Sequence, residues 1–90
     1  MSLFGLAALE HVSVWRQYFG YYDTGPDCDG RTIRLADYGK QTEHGWEIDH
    51  AMPTILGGHD GLANKRPRHW QGNRSAGAII GNALRPRGLF

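Results

Sequence analysis

Gly45-Trp46-Glu47-Ile48-Asp49-His50, continued by Pro53, Gly57-Gly58, Asp60 and Asn64 and closed by His69-Trp70-Gln71-Gly72-Asn73-Arg74, is the stretch on which the fold turns. An acid and a histidine stand side by side at the end of an apolar run. Residues 45–51 alternate as a strand, with Trp46, Ile48 and His50 on one face and Glu47 and Asp49 on the other. Asp49 and His50 then point apart, so the strand must end or bulge there if both are to serve one place. Pro53 donates nothing to a ladder and keeps the residue before it extended. The glycines of loop 54–63 permit tight turns. In that loop Asp60 is expected to bond local amides and His59 to sit exposed at the tip. Asn64-Lys65-Arg66-Pro67-Arg68 predicts a second, short strand, with Pro67 at an edge or end position. Residues 69–78 predict a helix on which Trp70, Asn73 and Gly77 fall near one face.

These residue types suit one hard metal ion and one activated water. A carboxylate oxygen and an amide carbonyl oxygen are ligands for Mg²⁺ or Mn²⁺. A histidine, which ionises near neutrality, suits proton removal from water. A divalent ion neutralises a phosphate and stabilises its leaving oxygen. In type, order and spacing the stretch resembles the HNH endonuclease family, over about residues 30–77.

The resemblance implies a small single α+β domain built on a ββα-metal motif, acting as a metal-dependent DNA endonuclease. It implies His50 as general base, Asp49 and Asn73 as metal ligands, and Asn64 as the residue that holds the His50 ring. Arg74, beside Asn73, is implied to contact phosphate. His69 stands four residues before Asn73 and is a further candidate ligand; the alternative is a helix-start histidine bonded to backbone. The expected ion is Mg²⁺ or Mn²⁺, with Zn²⁺ or Ni²⁺ as alternatives. The expected partner is double- or single-stranded DNA, bound by a monomer or a homodimer. Two departures stand out: Lys65 replaces the family's usual aliphatic residue, and Ser75-Ala76-Gly77 stands where relatives often carry a lysine. The rival reading is a catalytically inactive HNH-fold nucleic-acid-binding module. A second rival is an interaction protein whose basic tail docks on an acidic partner.

Ninety residues bound the chain to one small domain with a modest core. The single cysteine, Cys28, excludes an internal disulfide framework and a four-cysteine zinc knuckle. One thiol and the absence of a long apolar run or signal-peptide pattern give the expectation of a cytoplasmic chain without a membrane partner. Charge is unevenly placed. Residues 1–60 hold four Lys or Arg against nine Asp or Glu, whereas residues 61–90 hold six Lys or Arg and no acid. A basic third beside an acidic candidate site suits a phosphate backbone, with Arg66, Arg68 and Arg74 as candidate nucleic-acid contacts.

Elsewhere the pattern predicts an N-terminal helix over residues 3–19, capped by Ser2; because Val12, Ser13 and Val14 weaken its second half, the alternative is a helix to about His11 followed by an extended stretch through Trp15. Residues 1–29 are expected to pack on a core of residues 30–78, and residues 79–90 to form a basic tail whose first half extends the C-terminal helix until Pro86 and Gly88 stop it. Gly20 to Gly30 is too rich in Gly, Pro and Asp for a helix or long strand, and its aspartates are expected to form turns. Tyr18, Phe19, Tyr21 and Tyr22 are expected to pack on the core. Residues 31–35 alternate as a short strand. His11 and His44 are expected at the surface, and Trp46 and Trp70 in the core.

Overall fold

The computed structural model describes residues 3–84. Two helices and two small antiparallel sheets make an α+β unit: α1 (Leu3–Phe19), β1 (Thr24–Pro26), β2 (Thr32–Arg34), β3 (Trp46–His50), β4 (Lys65–His69) and α2 (Trp70–Leu84). Strands β1 and β2 form one hairpin and β3 and β4 the other. Ser2 and residues 85–90, with Arg85, Pro86, Arg87 and Gly88, lie outside the described residues.

The β3–β4 hairpin is the centre of the molecule. Its register pairs Trp46 with His69, Ile48 with Pro67, and His50 with Lys65, while Glu47 pairs with Arg68 and Asp49 with Arg66. Paired residues in an antiparallel ladder share a face. One face therefore carries Trp46, Ile48 and Pro67, the other Glu47, Asp49, Arg66 and Arg68. α1 covers the first face. Its Trp15 meets Trp46 with ring centroids 5.2 Å apart. With Ile33 of β2 these two tryptophans are fully buried, and Phe19, Leu35 and Ile48 pack around them. Each indole N–H has a partner: Trp15 donates to the Tyr22 carbonyl at 2.7 Å and Trp46 to the Leu35 carbonyl at 3.3 Å. Buried indoles without such acceptors would forfeit much of what their apolar area contributes.

α1 runs unbroken to Phe19, as expected of a helix over residues 3–19, and the two-piece alternative does not form. The β-branched residues cost only tenths of a kcal/mol in propensity, and burial of Val14 and Trp15 outweighs that. His11 lies in mid-helix, half-buried, and stacks on Tyr38 with centroids 4.3 Å apart. Gly20, at φ 58°, ends α1 in the left-handed region. The chain then turns outward, and Tyr21 is 92% exposed and Tyr22 80%. Of the expected aromatic cluster, only Phe19 joins the core.

β4 has one free edge, and each position on it is managed. The Lys65 carbonyl accepts from Gln17 at 2.6 Å, Pro67 has no N–H to offer, and the His69 N–H donates to Asp27 at 2.8 Å. The edge position expected for Pro67 is thus the one it takes. Asp27 is buried; its other oxygen accepts the N–H groups of Asp29 and Arg31, both at 2.9 Å. One turn-forming aspartate therefore closes the β1–β2 turn and joins it to β4. The lysine at position 65 does not loosen β4, because its ammonium bonds Glu10 of α1 and lies 3.5 Å from Asp60.

β4 runs through His69, and α2 begins only at Trp70. The helix continues to Leu84, so its extension into residues 79–84 is as expected. No helix among the described residues is long and apolar enough to cross a membrane.

Candidate functional site

β3 ends at His50 with regular pairing to Lys65 and no bulge. Termination rather than a bulge is what brings the two neighbours together. Asp49 points to the α2 side, and His50 stands at the rim where the loop departs. Asp49, His50 and Asn73 line one open cleft of about 610 Å³ between the end of the hairpin, loop 51–56 and α2. Arg66 and Arg68 line it too, and Ala76, Gly77 and Ile80 form an apolar wall.

The loop from Ala51 to Ala63 is organised by Asn64, which is buried. Its Oδ1 accepts the Met52 N–H at 2.9 Å, and its Nδ2 donates to the carbonyls of Met52 at 2.9 Å and His59 at 2.7 Å. This corrects the role expected of Asn64. Its side chain is used up on the loop backbone and does not reach the His50 ring. A Cβ at Gly58 would run into the Met52 carbonyl, so the loop closes only over a glycine there.

The partner of His50 is Asp60. The imidazole Nε2 lies 2.7 Å from Asp60 Oδ1. This is a correction as well, since Asp60 was expected to bond turn amides. The His50 hydrogen bond holds the Asp60 carboxyl below its ordinary pKa, and the charge of Lys65 adds to the effect. Asn64 thus acts on His50 at one remove, by shaping the loop that presents Asp60. Sequence reasoning had only one hint of this pairing: an Asp directly after the loop-tip His59, ten residues from His50.

On the α2 face, Asp49 is held by arginines. Arg66 Nε donates to Asp49 Oδ2 at 2.8 Å, and Arg68 Nη1 approaches the same oxygen at 3.5 Å. Arg68 also forks onto Asp29, with Nε and Nη2 at 2.8 and 3.1 Å from its two oxygens. That bond holds Asp29 below the usual carboxylate range. Glu47 receives Asn73 Nδ2 at 3.2 Å and Arg74 Nη2 at 3.2 Å. Arg74, foremost, and Asn73 lower the Glu47 pKa against the opposing effect of burial. All three candidate nucleic-acid contacts, Arg66, Arg68 and Arg74, are therefore paired with carboxylates from the acidic part of the chain.

His69 is not in the cleft. As the last residue of β4 it faces the opposite side from Asp49 and is buried. Its Nε2 lies 2.8 Å from the Glu43 carbonyl, and its Nδ1 accepts the Gln71 N–H at 3.1 Å. The expectation that His69 and Asn73 share a helix face fails because the helix starts one residue later. Trp70 likewise stays outside the core. It is half-buried, donates to the Thr42 carbonyl at 2.7 Å, and lies under the Arg74 guanidinium. His44 is half-buried rather than solvated, its Nδ1 3.2 Å from the Thr32 carbonyl.

A second group, Asp27, Cys28 and Asp29, places three ligand-type atoms within 4.8 Å of one another. The Asp27 oxygens are already taken by backbone N–H groups, which fits the expected turn role, whereas both Asp29 oxygens pair with Arg68 of β4 instead.

In the cleft the donor set fits a hard divalent ion. Only Oδ2 of Asp49 and only Nδ2 of Asn73 are engaged among the described residues, which leaves one oxygen on each. Both are hard donors. No protein-family model, curated protein or solved structure matches this chain.

Proposed function

We propose that this chain is a metal-dependent DNA endonuclease built on an HNH-type ββα-metal motif, formed by β3, β4 and α2. The observation that carries this reading is the convergence of Asp49, His50 and Asn73 on one open cleft, with the His50 ring bonded through Nε2 to a carboxylate. A carboxylate on Nε2 fixes the ring and favours the tautomer that carries its proton there. Nδ1 is then the nitrogen that takes a proton from an attacking water. Asp60 is the positioning residue for that base, and Asn64 supports it through the loop. Asp49 and Asn73 would hold the ion, which when bound would neutralise the scissile phosphate and stabilise the leaving oxygen. With His69 elsewhere the protein oxygens are the donors, and these favour Mg²⁺ or Mn²⁺ over Zn²⁺ or Ni²⁺. Arg74 is the most exposed of the three candidate arginines and the readiest to reach a phosphate.

The test is plasmid nicking with Mg²⁺, Mn²⁺ or chelator, run for the wild type and His50→Ala side by side. Metal-dependent nicking that falls at least about a hundredfold in His50→Ala supports the general-base role. Absence of cleavage with every ion, together with retained DNA retardation on a gel, would replace this reading with that of a non-catalytic nucleic-acid-binding module.

A further inference from the structure

We propose that Arg66 competes with the divalent ion for Asp49 and, once displaced, binds the substrate phosphate, so that metal and nucleic acid bind cooperatively. The inference rests on the metal-site reading above.

The geometry around Asp49 is asymmetric. Two guanidinium groups share its Oδ2, Arg66 at 2.8 Å and Arg68 at 3.5 Å. Arg68 has a second anchor in the two-oxygen fork on Asp29. Arg66 has no other carboxylate partner among the described residues. A cation on Asp49 repels both arginines, yet only Arg66 has nothing else to hold it. It also has somewhere to go. Arg66 lines the catalytic cleft on one side and, on the other, a groove of about 240 Å³ with Tyr18, Pro26, Cys28 and Pro67.

Charge gives the direction of the coupling. Asp29 and Asp49 face Arg31, Arg66 and Arg68, so the cluster carries one net positive charge as it stands. A divalent ion makes it more strongly cationic, and an entering phosphodiester offsets part of that excess. Arg66 therefore weakens metal binding in the free protein and strengthens substrate binding once the metal is in place. Linkage requires the effect to be reciprocal: nucleic acid must tighten metal binding by the same factor.

The experiment measures Mn²⁺ binding to the free protein from the paramagnetic resonance signal of unbound Mn²⁺, for the wild type, Arg66→Gln and Asp49→Asn. Alongside it, gel retardation of a DNA duplex is measured with and without Mn²⁺ in the His50→Ala background, with and without Arg66→Gln. Arg66→Gln is expected to bind Mn²⁺ about fivefold tighter, equivalent to about 1 kcal/mol. Asp49→Asn is expected to lose binding. Mn²⁺ should tighten DNA binding in His50→Ala and lose that effect in the double variant. Equal or weaker Mn²⁺ affinity in Arg66→Gln, with Asp49→Asn still defective, overturns this inference alone. Mn²⁺ binding that is absent throughout, or indifferent to Asp49→Asn, overturns the metal reading and the inference with it. Thermal unfolding followed by circular dichroism checks that the variants are folded. Arg66→Lys, which keeps the charge, is the second variant. It should bind Mn²⁺ within about twofold of the wild type, and a gain as large as that expected for Arg66→Gln would overturn the inference.

Discussion

The two faces of the β3–β4 hairpin are built from different materials. Toward α1, Trp46 meets Trp15 and Ile33, and all three are fully buried. Toward α2, one residue along the same strands, Glu47, Asp49, Arg66 and Arg68 form ion pairs with one another and with Asp29 and Arg74. The first face supplies most of the free energy of folding, since burial of large apolar side chains is the dominant favourable contribution. The second supplies little net stability, because partly exposed ion pairs roughly offset their own desolvation and ordering. What it supplies instead is charge held at fixed positions around a cleft. Strand alternation lets one short hairpin do both, because a step of one residue moves a side chain from one face to the other.

The largest effect expected from breaking this division is on the apolar face. Trp46→Ala removes a fully buried indole from a core with few large members and is expected to cost about 3–5 kcal/mol. Urea unfolding followed by circular dichroism reads this directly. A cost under about 1 kcal/mol would mean that the α1 face is not the seat of stability.

Asn64→Ala tests the loop that lies between the two faces. It removes three hydrogen bonds from a buried amide and is expected to cost about 2–3 kcal/mol. Under the proposed endonuclease function it should also reduce cleavage, because Asp60 loses its mooring while Asp49 and Asn73 stay in place. Parallel urea and nicking assays separate the two consequences. Cleavage at wild-type level in a folded Asn64→Ala protein would show that loop 51–63 does not position His50.

The smallest effect is expected on the charged face, and it depends on pH. The folded-state pKa of Asp29 is below its usual value of 3.8, chiefly through the Arg68 hydrogen bond. The unfolded chain therefore binds more protons in that range, and the pair stabilises the fold above about pH 3.8, losing its effect as pH falls through the lower folded-state value. As an exposed pair it is worth at most about 1 kcal/mol. Wild type and Asp29→Asn should differ slightly in unfolding temperature at pH 7 and converge as the pH falls below the lowered folded-state pKa of Asp29. A gap that widens as the pH falls would show that Arg68 contributes by some other route.

Several parts of this structure were legible in the residues themselves. Alternation in 45–51 predicted which side chains share a face, and the register bears that out. Pro67 predicted an edge. The two helices and strands β2, β3 and β4 follow from spacing and punctuation, apart from boundaries such as the start of α2, whereas β1 forms in a stretch expected to be loop. Other parts were not. Tyr21 and Tyr22 are aromatic enough to be taken for core, yet a glycine at φ 58° sends them outward. His69 has a ligand's chemistry and a helical spacing to Asn73, but one residue of extra strand turns it to the opposite face. Asp60 looks like a turn acid and bonds His50 instead.

By itself the sequence determined the periodicities, the places where the backbone must turn, and the presence of oxygen and imidazole donors within a few residues of one another. Those properties are local, set by side-chain type and by φ, ψ and hydrogen-bonding constraints over short spans. Only the tertiary structure decided who pairs with whom: Arg66 and Arg68 with Asp49, Arg68 with Asp29, Asp60 with His50, and Asn64 with the loop. The physical reason is that a charge or a hydrogen-bonding group has many chemically equivalent partners along a chain. The choice among them is made by the packing of the apolar face, which carries no record of the polar contacts it enforces.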